Sequence, residues 1–400
     1  MNILLIFIGI LFIIGIWLRL DYLLGRRYQL SKIKRREYPF RQSDLELFTH
    51  GKDLFTDLFD QMNGASHHIH ILFYIVKNDK FSKEFIHTLQ KKAKDGVEVR
   101  LLLDWVGSSS ISKNTINSLK KAGVHVSYCH VPRAPFFFYS LQVRNHRKLI
   151  IIDGNLGYIG GYNVGKEYID FDPKLSPWRD YHLKMTGEGV LDLQREFLKD
   201  WRVATKINLL QDTVYFPSLY KGSIKHQLIP SEGFFLEETF STLIQNAQKS
   251  ITIGSPYFIP SKQIFQDLLQ ALERGVKVII LVPNRSDHAL VKEASFPFLR
   301  KLLKNGARIY QFTEGFYHAK SLLVDHRVCD VGTANFDKRS LFLNHEINCY
   351  IYDTHFIQQM EEIFNKDIQN AKPLSLDEIS RKNPFRAMKE LTARMLSHFL

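Results

Sequence analysis

Two pairs of residues in this chain have the types and spacing to handle a phosphate ester: His146 with Lys148, and His318 with Lys320. Imidazole titrates near neutrality, so one histidine can attack an electrophile while the other, protonated, donates to the leaving group. Two lysines suit only an anionic substrate. With amide donors from Asn163 and Asn335 they would hold non-bridging phosphate oxygens and stabilise the charge of a pentacoordinate transition state. No carboxylate cluster, P-loop or metal-ligand spacing accompanies these residues, so the site is expected to work without a metal or other cofactor.

A lone His-x-Lys is usually a solvated surface pair, and repetition is what changes the reading. His146-Arg-Lys-Leu-Ile-Ile-Ile-Asp153 returns as His318-Ala-Lys-Ser-Leu-Leu-Val-Asp325. His146, Lys148, Asp153, Gly160 and Asn163 map onto His318, Lys320, Asp325, Gly332 and Asn335 at one constant offset. Upstream the offset drifts with loop length: Gly96-Val-Glu-Val pairs with Gly275-Val-Lys-Val, and Gly123-Val-His-Val with Gly306-Ala-Arg-Ile. The period is too long for a solenoid, so the chain reads as two homologous halves that each supply one motif to a shared centre.

The apolar run after each lysine predicts a buried strand, in which period-two geometry points His and Lys to one face and leaves the Asp at the strand's end. Each working histidine also needs an acceptor on its second ring nitrogen. Asp180 and Glu346, at similar distances after the two motifs, are the candidates, with a surface pairing to a nearby Arg or Lys as the alternative. Asp153 and Asp325 complete the candidate catalytic motifs. Lying seven positions after the histidines, they are expected to hold the strand end and its turn rather than touch substrate.

The elements that must position these groups alternate strand and helix. In the first half, 69–76 predicts a strand, Phe85, Ile86, Leu89 and Ala93 the stripe of a helix, and 97–103 the next strand. In the second, 251–254, the stripe Ile264, Phe265, Leu268, Leu269 and Leu272, and 276–282 repeat that order. The expected fold is α/β, a mixed sheet in each half flanked by helices, with the halves related by a pseudo-twofold axis. Residues 45–215 and 216–400 are the expected halves, with the boundary where periodicity lapses, near 205–227.

Ahead of them, residues 3–18 carry no charge, and residues 1–20 as a helix reach roughly 30 Å, enough to cross the hydrocarbon of a bilayer. A cleaved signal peptide is the alternative, but no basic stretch precedes the apolar run and no small-x-small cleavage site follows it. A transmembrane anchor over 1–22 and a basic juxtamembrane linker over 23–44 are therefore expected. Arg19, Arg26, Arg27, Lys32, Lys34, Arg35 and Arg36 place the rest of the chain on the cytoplasmic side of the cell membrane. The three cysteines, Cys129, Cys329 and Cys349, imply neither a disulfide framework nor a zinc site.

The duplicated His-x-Lys-x-x-x-x-Asp motif, each copy followed by a glycine turn ending in Asn, resembles the phospholipase D superfamily. Within it the chain is most similar to bacterial cardiolipin synthases, through Ser255-Pro-Tyr-Phe-Ile-Pro260, Gly315-Phe-Tyr-His-Ala-Lys320, Asn335-Phe-Asp-Lys-Arg-Ser340, Phe342-Leu-Asn-His-Glu346 and Trp178-Arg-Asp-Tyr-His182. The likeness covers roughly residues 45–400. It implies a covalent phosphatidyl-histidine, more often on the first motif and hence on His146. It further implies transfer of a phosphatidyl group from one phosphatidylglycerol to another, with cardiolipin and glycerol as products. Hydrolysis by the same site, or a membrane-tethered nuclease, are the alternatives. Two departures stand out: the family commonly carries two N-terminal membrane segments where this chain shows one, and the hydroxyl residue frequent in the glycine turns is kept at Thr333 but replaced by Gly161.

Anionic membrane lipid is the expected partner. The net charge of +13 fits it, each basic residue near such a surface contributing about 1 kcal/mol. Nucleic acid would fit the charge equally well, but the anchor and the lack of an aromatic-basic stripe for stacking bases argue against it. Phe136, Phe137, Phe138 and Tyr139 are expected either as a buried strand or as a loop dipping into the interface beside His146. Phe385, Met388, Leu391, Met395, Leu396 and Phe399 recur at helical spacing, as a helix docked on the core or lying on the bilayer.

Overall fold

The computed structural model describes residues 2–288, 290–380 and 384–396. Among them a single sheet of 16 strands runs through both halves. From its middle outward the first half contributes Arg41–His50, Trp178–Gly187, Leu156–Gly160, Leu149–Ile152, His68–Phe73, Glu98–Asp104 and His125–Cys129. The second half contributes, in the same order, Ile224–Glu232, His345–Ile351, Val328–Gly332, Ser321–Val324, Ser250–Gly254, Lys277–Pro283 and Arg308–Phe312, with Ala371–Pro373 added at its edge and the short Phe316–Tyr317 paired off this path with Trp178–Gly187. The identical order is the pseudo-twofold repeat. The halves join where Arg41–Ser43 pairs antiparallel with Ile224–His226.

His68–Phe73, Glu98–Asp104 and His125–Cys129 run parallel and are linked by helices, and so are Ser250–Gly254, Lys277–Pro283 and Arg308–Phe312, as strand-helix alternation requires. Strand Glu98–Asp104 is buried from Val99 onward, the condition that gives such strands runs like Leu101-Leu102-Leu103 rather than strict alternation. The matching crossover helices begin on matching signals: Asp79 accepts from the Ser82 amide to cap Lys80–Lys94, and Ser261 from the Ile264 amide to cap Lys262–Glu273. Separate apolar cores fill the two halves, and a third, with Leu149, Tyr181, Leu228, Tyr317, Leu323 and Cys349, lies between them.

The N-terminal helix runs from Asn2 to Leu30, beyond the expected anchor. Its apolar residues from Leu4 to Leu20 are largely exposed, whereas its last turns dock on the catalytic body. Asp21 is buried and accepts from the Tyr139 amide at 2.7 Å, and Tyr22 meets the edge of the Tyr139 ring. Arg26 lies over the rings of Phe234 and Phe342. Residues 23–44 are accordingly not a free linker: Arg36 pairs with Glu196 and Glu232, the buried Tyr38 donates to Glu196, and Arg41 opens the central strand. A segment rich in cations reads as solvated until the buried carboxylates that pair with it are known, and these lie far away in sequence.

The aromatic cluster is neither strand nor loop. Phe137–Gln142 is a short helix whose Tyr139 and Val143 pack with Tyr22 and Leu343, leaving Phe137 exposed. The C-terminal helix Pro384–Leu396 docks by its polar side, through Glu390 to Arg300 and Lys389 to Glu293, with Ala393 buried. Phe385, Met388 and Leu391 face outward, while Phe399 lies outside the described residues.

Gly25 is where the anchor touches most closely, since a Cβ there would sit 2.7 Å from the Tyr139 ring. Gly25→Trp is expected to lift the anchor off, so that trypsin cuts at Arg26 and Arg27 at least about tenfold faster, as loss of roughly 1.4 kcal/mol of docking would give. The melting temperature of the body should hold. Cutting at the wild-type rate would show that the helix does not depend on this contact.

Candidate active site

His146–Lys148 and His318–Lys320 lie just before their strands, which start at Leu149 and Ser321, rather than within them. The reason is in the backbone hydrogen bonds. The His146 amide donates to the carbonyl of His345 at 2.9 Å and the His318 amide to that of Arg179 at 2.7 Å. Each motif thus leaves its own sheet register to pair with the opposite half. That crossing brings the two halves' polar residues together in the interior.

The carboxylates cross in the same way. His146 Nδ1 lies 3.0 Å from both oxygens of Glu346, from the second half, and His318 Nδ1 lies 2.6 Å from Asp180 Oδ2, from the first. All four residues are buried. A carboxylate on Nδ1 holds the proton there and leaves Nε2 with its lone pair, the tautomer a nucleophile or base needs. Glu346 is held in turn by Thr333 Oγ1 at 2.6 Å, Ser340 Oγ at 2.9 Å and Asn344 Nδ2 at 3.3 Å. These donors and His146 keep its carboxyl below the usual range despite burial, and Lys320 with His318 does the same for Asp180.

The glycine turns differ because the carboxylates do. A Cβ at Gly161 would come 2.0 Å from Asp180 Oδ1, so no hydroxyl residue fits there, while Thr333 stands back far enough to donate to Glu346. The departure at Gly161 therefore makes room for the carboxylate that orients His318.

Both lysines are buried, and Lys320 Nζ lies against the His318 ring, 2.5 Å from Nδ1 and 3.2 Å from Nε2. Lys148 Nζ donates to the His146 carbonyl at 2.6 Å, and burial lowers its pKa to about 7. Lys320 Nζ reaches Asp180 Oδ2 at 3.4 Å and is also lowered by burial. The charge of Lys320 depresses the pKa of both Lys148 and His146, so the second motif's lysine lies close to the first motif's pair. Burial likewise lowers His146, and takes His318 to about 4. Burial thus penalises charge on all four groups, and the negative charge of a bound phosphate would offset that penalty.

Asn163 and Asn335 are tied to the frame as well. Asn163 Oδ1 accepts from the Ile75 amide and its Nδ2 donates to Tyr168, while Asn335 Nδ2 donates to Asp337. Each amide nitrogen keeps one further hydrogen to offer. Asp153 and Asp325 leave the candidate catalytic set. The Asp153 carboxylate accepts from the amides of Ser66, His67 and His68, and Asp325 from those of Gln248, Lys249 and Ser250. They tie the far end of the motif strand to the start of its neighbour, each in the left-handed region with φ near +50° and +56°. In the only group of three metal-type ligands found among the described residues, Asp104, Cys129 and His130, the carboxylate already accepts from Arg144 and three backbone amides.

Comparison with known proteins agrees with this geometry. A family model described as cardiolipin synthase, phospholipase D-like domain, matches residues 58–174 and 240–368, one match in each half. The chain belongs to this family. The minor cardiolipin synthase ClsB of Bacillus subtilis is 40% identical over 398 residues, covering 99% of this chain and all of the relative. The cardiolipin synthase of Alkalihalophilus pseudofirmus is 37% identical over 364 residues, 90% of this chain and 72% of the relative. A phosphatidylserine synthase from Haemophilus influenzae shares the fold, with a TM-score of 0.72 at 15% identity over 91% of this chain and 97% of its own.

Within the family frame, Arg147 is a buried residue that the spacing argument passed over. It lies fully inside, bonding Asp200 at 2.8 Å, Glu196 at 2.9 Å, the Ser231 carbonyl and, through Nε, the Glu346 carbonyl. It fixes the strand that carries Glu346. The repeat held the only signal for it: position 319 in the second copy is Ala, so Arg at 147 is half-specific.

The lowered pKa values set the sign of a proton linkage. Binding a tetrahedral oxyanion such as vanadate adds negative charge and raises the pKa of Lys148 and of His318 from about 7 and about 4. Groups that bind protons more tightly in the complex take them up, so affinity should fall with rising pH by up to about tenfold per unit for each proton, from about pH 4 upward for His318 and from about pH 7 upward for Lys148, until the raised pKa is passed. Calorimetry in buffers of different ionisation enthalpy should register uptake; net release, or affinity flat with pH, would contradict the assignment.

Proposed function

We propose that the chain is a cardiolipin synthase, a phosphatidyltransferase acting between two phosphatidylglycerol molecules at a membrane. The observation that carries the reading is the crosswise pair of His-carboxylate couples around two buried lysines. In the first displacement His146 Nε2 attacks the donor's phosphorus, the P–O bond to the glycerol headgroup breaks, and His318 Nε2–H protonates the departing glycerol. In the second, the terminal hydroxyl of another phosphatidylglycerol gives its proton to His318 and attacks the phosphorus. The P–N bond breaks, cardiolipin leaves, and both rings return to their starting state.

The phosphodiester's own charge supports protonation of His318, since burial holds it neutral in the empty site. Lys148, Lys320 and the remaining amide hydrogens of Asn163 and Asn335 would bind the non-bridging oxygens. Removing one such donor from a dry site typically costs about 3 to 4 kcal/mol of transition-state stabilisation. The assignment of attack to His146 rather than His318 rests on the family resemblance, because each ring has a carboxylate on its Nδ1. Membrane association follows from the apolar helix, and the cations after Leu18 support a body on the cytoplasmic face.

Purified protein in phosphatidylglycerol vesicles is expected to form cardiolipin and glycerol in equal amounts. His146→Ala should abolish both products and any acid-quenched phosphoenzyme. Phosphatidic acid without cardiolipin would make the enzyme a hydrolase. Loss of the trapped intermediate in His318→Ala but not His146→Ala would exchange the two roles.

A further inference from the structure

The second half carries an unused carboxylate at the site. Asp287, in the loop after strand Lys277–Pro283, accepts from the Tyr257 hydroxyl at 2.6 Å through Oδ2, with His288 Nε2 3.6 Å away. Its other oxygen, Oδ1, is buried and accepts no hydrogen bond among the described residues. Tyr257 stands edge-on to His318 with ring centroids 6.2 Å apart, and the negative charge of Asp287 is felt at both His318 and Lys320. A pocket lined by Tyr257, Asp287, Ser295 and Gln311 opens beside the pair of Tyr257 and Asp287. The loop is tied to the opposite half, Arg285 donating to the Lys174 carbonyl at 2.9 Å.

The first half shows what this feature is not. There Tyr74 stands edge-on to His146 at 5.0 Å, in the place Tyr257 takes against His318. The carboxylate at that sheet end, Asp104, is saturated by the amides of Val106, Gly107 and Asn145 and by Arg144. One half's carboxylate is therefore structural and closed, whereas the other's keeps an oxygen open to a donor, beside a tyrosine that packs on His318. A buried carboxylate oxygen without a donor is costly, and substrate hydroxyls are the donors such a position would take.

We propose that Asp287 and Tyr257 form a hydroxyl-recognition subsite beside His318 that binds a polyol headgroup through the hydroxyl next to the one that reacts. This deepens the phosphatidyltransferase reading and rests on it. The subsite holds the neighbouring secondary hydroxyl of glycerol so that the terminal one faces His318, which gives a polyol an advantage that water and monohydric alcohols lack. No bond is made or broken at Asp287; it positions the acceptor.

The test supplies phosphatidyl-p-nitrophenol in vesicles to the full-length protein, with glycerol and ethanol as competing acceptors. The donor's leaving group needs no hydroxyl recognition. The readout is the ratio of phosphatidylglycerol to phosphatidylethanol, taken within each variant so that a general loss of rate cancels. Wild type is expected to favour glycerol, and Asp287→Asn to lower the ratio at least about tenfold, as loss of a charged acceptor for a substrate hydroxyl would. Tyr257→Phe should lower it less, and it reads the same subsite should Asp287→Asn fail to fold. An unchanged ratio in the variants overturns the subsite while leaving the transferase intact. Failure of wild type to release p-nitrophenol, or release with phosphatidic acid alone, overturns the transferase reading and the subsite with it.

Discussion

The structure depends on each motif histidine being held by a carboxylate from the opposite half. An imidazole buried beside two lysines would turn freely among tautomers and lose its lone pair to chance. Glu346 and Asp180 remove that freedom by fixing the proton on Nδ1. Because the partners cross, neither half can form a working centre alone. The duplicated strand order, the shared core between the halves and the Arg147 network all keep the two crossing bonds in register.

Symmetry is kept where the chemistry is shared and dropped where the substrate is not symmetric. The lysines, histidines and strand-end aspartates repeat closely, whereas Gly161 and Thr333 differ because one carboxylate needs space and the other a donor. Asp104 is closed and Asp287 open, Arg147 has Ala319 as its counterpart, and the anchor packs beside Val143 and Leu343, just ahead of His146 and Glu346. A reaction between two lipids in a bilayer needs a mouth at headgroup height, and an anchor docked against the segments that lead into the site is a rigid way to set it.

Much of this was legible in the sequence. The motifs, the two halves and the alternating elements came from local periodicity and a constant offset, both carried by residues close together in the chain. Asp180 and Glu346 could be named as acceptors, but their crossing could not, since nothing in spacing says which half a side chain will face. The same limit hid the docking of residues 21–38, whose carboxylate partners lie more than a hundred residues away, and the role of Asp287. The motif histidines and lysines were expected inside strands. They lie just ahead of them because their backbone pairs across the halves, a tertiary choice that overrides local alternation.

Crosswise orientation is tested most directly by nitrogen-15 spectra of histidine-labelled protein at neutral pH, with His146 and His318 assigned by substitution. Both rings should show a protonated Nδ1 and an unprotonated Nε2. Asp180→Asn should then shift the His318 resonances and leave His146 in place, and Glu346→Gln should do the reverse. If each substitution moved the histidine of its own half, the crossing and the single shared centre would both be contradicted.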